Sequence, residues 1–240
     1  MVTLTDTFDD LSHALRLLQE ADYRANSGLL SLDRAEAVGN IEITWAGVLN
    51  AFHSLYDAME KDPRCDVDWY AHPELATILV LRNARHHNHA RKIRTLYTHY
   101  IQEAEKVGRM EMYVLLDFAA AEEGGDTFDL YLSWGDLKDL LEMPQAITRI
   151  RPSLALAVKG YLGSEKFAGY ASEFHLPEEK VMFNAIPLIC NAAARITASI
   201  QDLIEPASLE AKTFHGLFKD MPQTDLRIPE VNVGPVAFLP

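Results

Sequence analysis

Residues 72–108 read HPELATILVLRNARHHNHARKIRTLYTHYIQEAEKVG. His72-Pro73 opens a helix, because proline is tolerated in the first turn, where its missing N–H has no partner to lose. No breaker follows from Glu74 to Val107, and Gly108 is a natural stop. The spacing predicts one continuous helix, roughly 50 Å long at about 1.5 Å per residue. Its apolar stripe comprises Leu75, Ile78, Leu79, Ile93, Leu96, Tyr97 and Tyr100. Arg82, His86 and His89 fall inside that stripe, and Asn83 and His87 flank it. Burying such groups without partners is costly. The polar gap therefore meets acidic groups elsewhere in the chain, or it lines a cleft or a subunit interface.

Outward from this spine the chain keeps helical periodicity. Asp6 to Asn26 reads as a first helix, with Leu11, Leu15 and Leu18 on one face and acidic residues at the positive end of the dipole. Ser27 to Ser31 interrupts it. Asp33 is an N-cap for a second helix to about Lys61, with Trp45, Leu49, Phe52 and Tyr56 as its stripe. Beyond the spine, Met110–Ala119 and the alternating Thr127–Trp134 flank a Glu-Glu-Gly-Gly-Asp turn at Glu122–Asp126, which reads as a β-hairpin. Short helices follow at Gly135–Glu142, Pro152–Gly160 and Ser164–Glu173. A longer one is expected from Pro177 to about Leu203, with Pro187 a kink, and a last one over Ser208–Lys219. The expected fold is mainly α, an up-and-down helical bundle with a β-hairpin insertion at about 110–134. Residues 1–220 form a single helical domain. Residues 221–240 form an extended, proline-rich but apolar tail suited to docking on a surface.

The 240 residues carry 35 acidic and 22 Lys or Arg side chains, a net charge of −13, and are 48% hydrophobic. That apolar fraction excludes wholesale disorder. Two cysteines, Cys65 and Cys190, cannot build a disulfide framework, so a cytoplasmic protein is expected. The acidic start has no signal-peptide pattern, and no apolar run is long enough to span a bilayer. The acidic balance excludes a protein that coats nucleic acid with its whole surface. Basic charge is nevertheless concentrated between Leu79 and Arg109, where seven Lys or Arg face two Glu, beside four of the nine histidines.

The centre of this segment is Arg82-Asn83-Ala84-Arg85-His86-His87-Asn88-His89. It resembles the HEPN superfamily of helical ribonucleases and toxins, whose pattern is an Arg, usually a polar residue after it, and a His four to six positions further on. Arg82 and Asn83 match the first two positions. His87 matches at the four-residue spacing and His89 at the six-residue spacing, whereas His86 falls outside it. The resemblance covers about eight residues with helical flanks and does not account for Met110–Lys180. It implies a homodimer whose two motifs meet in a composite cleft, with Arg82, Asn83 and His87 catalytic and Arg85, His86 and His89 in contact with RNA. The toxin members add a cognate antitoxin, or another protein, as a partner. The chemistry stands on its own. A histidine near neutral pKa takes or gives the proton of the RNA 2′-hydroxyl. An arginine holds the phosphate and stabilises the pentavalent state. No metal or other cofactor is needed.

Other readings compete. A buried ion-pair cluster explains polar groups in an apolar stripe without any catalysis. His86 and His89 are spaced as metal ligands, but no Glu-x-x-His accompanies them, so no metal is assigned. Cys190, on an apolar helix face, reads as a packed thiol. The alternative function is a non-catalytic helical protein that binds a partner protein or RNA, which suits the net charge better than a nuclease does.

Overall fold

A computed structural model describes residues 3–86, 93–107, 111–119 and 128–236. In chain order the helices are α1 (Leu4–Arg24), α2 (Leu30–Leu32), α3 (Arg34–Lys61), α4 (Pro73–His86), α5 (Leu96–Val107), α6 (Trp134–Glu142), α7 (Gln145–Thr148), α8 (Pro152–Tyr161), α9 (Phe167–Glu173), α10 (Ile186–Ile200) and α11 (Leu209–Phe218). The strands are β1 (Glu111–Asp117), β2 (Tyr131–Ser133), β3 (Val181–Asn184) and β4 (Glu230–Val236). The fold is mainly helical, as expected, with a small mixed sheet. Among the described residues, no helix is long and apolar enough to cross a membrane. The chain forms two compact units: residues 1–82 with 189–223, and residues 83–188 with 224–240.

The first unit is helical. Thr3 and Asp6 form a reciprocal capping box at the start of α1, which buries Leu4, Phe8, Leu11, Leu15 and Leu18 at helical spacing. A π-turn over Ala25–Leu29, with Gly28 at φ 121°, turns the chain where the sequence predicted a break. Asp33 caps α3 through the Glu36 N–H, as expected. Trp45, Leu49 and Phe52 of the expected stripe are buried, while Tyr56 is half-buried. The helix α11 docks on α1: Arg16 reaches Glu210 at 3.3 Å, and the Phe8 and His215 rings meet edge to face. In the same unit, Glu74 of α4 pairs with Arg195 of α10 at 2.8 Å.

The second unit holds the sheet, in the order β2-β3-β1-β4. Here three expectations are corrected. First, the spine is not one helix. Residues 93–95, between α4 and α5, are non-helical, and α5 starts at Leu96. The physical reason is Asp136. Its carboxylate accepts the backbone N–H of Arg94 at 3.0 Å and two guanidinium N–H groups at 2.7 Å each. The Arg94 carbonyl accepts the Ser133 N–H, and Thr95 bridges to Leu132. These bonds compete directly with helical ones.

Second, the two expected strands exist but do not form a hairpin. The strand β3 lies between them, parallel to β1 and antiparallel to β2. It outcompetes direct pairing because Val181, Met182, Phe183 and Asn184 are all fully buried there. The expected turn at Glu122–Asp126 lies outside the described residues.

Third, the span expected as one helix from Pro177 to Leu203 holds a 3-10 turn at Glu178–Lys180, the strand β3, and an α-helix over Ile186–Ile200. Pro187 then sits at the second helical position, where it costs no hydrogen bond. Part of the tail is the strand β4, antiparallel to β1 from Glu111↔Val236 to Asp117↔Glu230. The approach to it is tight. Gly163, at φ +61°, lies so near Arg227 that a Cβ would stand 2.8 Å from the Arg227 Cα. Gly163→Ala adds left-handed strain to that clash and is expected to cost about 2 kcal/mol. Urea unfolding of the variant measures it, and an unchanged midpoint would refute the close approach.

Candidate functional site

The exposure of α4 singles out the motif. From Glu74 to Ala84 every side chain is buried except Arg82 and Asn83, which are half-buried. Leu79, Val80, Leu81 and Ala84 around them are at most 2% exposed. Within Glu74–Ala84 the half-buried residues are thus the arginine and the asparagine of the motif. Both make interactions with neighbouring groups. His87 and His89 lie outside the described residues, as do the side chains of Arg85 and His86. The wheel that put His89 on the Arg82 face assumed an unbroken helix to Gly108. Residues 93–95 are non-helical, so the helix does not run unbroken to Gly108, and the place of His89 on that wheel lies outside the described residues.

The basic segment divides by role. Arg94, one of its seven cations, is held by the buried Asp136 and serves the fold. His99 is 3% exposed, and its Nδ1 lies 3.2 Å from the hydroxyl of the buried Tyr113. It is a core histidine, packed edge to face against that ring. Of the described side chains in the segment, Arg94 and His99 thus belong to the fold.

A second polar centre escaped the sequence reading. At the carboxyl ends of the parallel strands β1 and β3, the Asn184 amide donates to Asp117 Oδ1 and to Asp129 Oδ1, each at 2.8 Å. Its carbonyl oxygen accepts the N–H groups of Leu130 at 3.2 Å and Ile186 at 3.0 Å. Asn184 is fully buried, and both its donors and its acceptor are used. Burial first, then the carboxylates of Asp129 and Asp117, push the Tyr131 hydroxyl well above its usual pKa. The arrangement is a crosslink between strand ends. Asn184→Leu leaves two N–H groups without their acceptor and two carboxylates without their shared donor. It is expected to cost about 2–3 kcal/mol. Chemical denaturation checks this, and a neutral result would mean that water replaces the amide. The signal in sequence is slight: one Asn between an apolar run and a helix start.

Comparison of the chain with known protein families, curated proteins and solved structures finds no match. No group of three His, Cys, Asp or Glu side chains among the described residues is placed to hold a metal ion. The free thiols are half-buried, and burial raises the Cys65 pKa. The motif at the end of α4 offers an arginine for phosphate, an amide for orientation and, further along the chain, imidazoles for proton transfer.

Proposed function

We propose that the chain is a HEPN-like, metal-independent endoribonuclease, active in the cytoplasm as a toxin or defence factor. Arg82 binds the scissile phosphate and stabilises its added charge, Asn83 orients it, and His87 transfers the proton. Arg85, His86 and His89 contact the RNA. Two copies complete one cleft, and a cognate antitoxin or another protein restrains it. The observation that supports this reading is the exposure pattern of α4. Between Glu74 and Ala84 the two residues that are not buried are those that match the start of the motif.

The reaction needs no cofactor. The 2′-hydroxyl attacks the adjacent phosphorus, the 5′-oxygen leaves, and a cyclic phosphate results. Proton removal from the nucleophile and charge stabilisation on the phosphate are the two demands. Labelled RNA incubated with the purified protein in EDTA tests the reading, alongside light scattering. Cleavage that survives EDTA and a dimer of the 27.0 kDa chain are the expected results. No cleavage by concentrated protein overturns the enzyme and favours the non-catalytic binding protein, the reading that the net charge of −13 supports.

A further inference from the structure

The sheet is unevenly secured. In β1, Tyr113, Val114 and Leu116 are fully buried, and so is every residue of β3. In β4 no residue from Glu230 to Pro235 is buried. This edge strand is held by its ladder to β1, seven paired positions long, and by Val231 and Val233, which are half-buried. The chain just before it is anchored differently. Leu226 is 1% exposed, Gly163 packs against Arg227, and Lys166 Nζ donates to the Arg227 carbonyl at 3.0 Å. Between anchor and strand stand Ile228, 70% exposed, and Pro229. A firmly held anchor, a two-residue hinge and a thinly packed terminal strand are the parts of a strap. Elements with few buried apolar contacts open at free energies well below that of global unfolding. A short hinge before a terminal element also favours exchange of that element between identical chains.

We propose that β4 is a releasable strap, and that the β1 edge beneath it accepts the β4 strand of a second copy of this chain. The occupant is set by register. The groove that binds Glu230–Val236 within one chain binds the same sequence from another with the same backbone bonds. The chain's own β4 is the strand whose pairing with this edge is seen, over seven positions. Pro235 also limits further growth: an edge proline withholds one N–H donor, so exchange closes a pair of chains and discourages open stacking. The proposal rests on the sheet alone and stands whether or not RNA is cut.

Two single variants test it. Met112 and Pro235 are paired positions and both are exposed. Met112→Cys and Pro235→Cys proteins are mixed, incubated at high micromolar concentration and oxidised gently. A disulfide joining positions 112 and 235, located by mass spectrometry, can form only across chains. It is expected to accumulate, and to fall when a synthetic peptide of residues 229–240 is added in excess. Hydrogen exchange of the unmodified chain gives the second readout: β4 amides should exchange about tenfold or more faster than those of β1 and β3. Absence of the 112–235 bond in the mixture overturns the exchange. Protection of β4 equal to that of β3 overturns the strap itself.

Discussion

Arg82→Ala protein is expected to fold and to lose RNA cleavage that the wild type retains in EDTA. The loss should be about 10²–10³-fold, the scale for removing one preorganised stabiliser of transition-state charge. Folding should survive because the Arg82 side chain is half-buried, whereas Leu81 and Ala84 are buried. His87→Ala should lose about 10²–10⁴-fold, the contribution of a proton-transfer group. His89→Ala should act on RNA affinity instead, raising KM while kcat stays near the wild-type value. An active His87→Ala protein beside an inactive, well-folded His89→Ala protein would transfer the catalytic role to His89. Loss of folding in all three variants would make the cluster a structural one.

The second large effect lies away from the motif. Asp136 is 3% exposed and accepts three hydrogen bonds from Arg94. Asp136→Ala strands a guanidinium and a backbone N–H together. Losing one partner of a buried pair costs about 3–5 kcal/mol, and the partial exposure of Arg94 places this one near the lower end. About 3 kcal/mol corresponds to a fall in Tm of roughly 6–12 °C for a chain of this size. Calorimetry measures it. Asp136→Asn keeps an acceptor for the Arg94 N–H and should lose less. A melting temperature unchanged in the Ala variant would show that Asp136 does not hold the break before α5.

That break shows where sequence reading reaches its limit. The helices α1 and α3 were legible because each combines a local cap with a stripe of buried residues, and both signals lie within one stretch of chain. The interruption before α5 was not, because its cause is a carboxylate forty-two positions away. The strand β3 was hidden for another reason. A strand buried on both faces has no alternation to read, so Val181–Asn184 merged with the helix that follows. The hairpin expectation failed with it: β1 and β2 were read correctly as strands, but the partner that separates them was invisible. At the candidate site, Arg82 and Asn83 were legible as a pattern. Their partial exposure between the buried Leu81 and Ala84 was not, since it depends on what packs around α4. Asn184 carried no pattern at all, because its four partners converge only through the sheet and the segments at its end.

Both compact units are built from two separated stretches of chain, and this sets a timetable for synthesis. The stretch 1–82 is translated early, yet its unit also requires residues 189–223. At a ribosome rate of about 5–20 residues per second, the early helices wait roughly 7–28 s for their last partners. The second unit is closed only when β4, at 230–236, has been made. During that interval the apolar faces of α1, α3 and the first part of α4 lack the cover of residues 189–223. A premature stop anywhere before residue 189 leaves both units unfinished, so degradation of the truncated product is its expected fate.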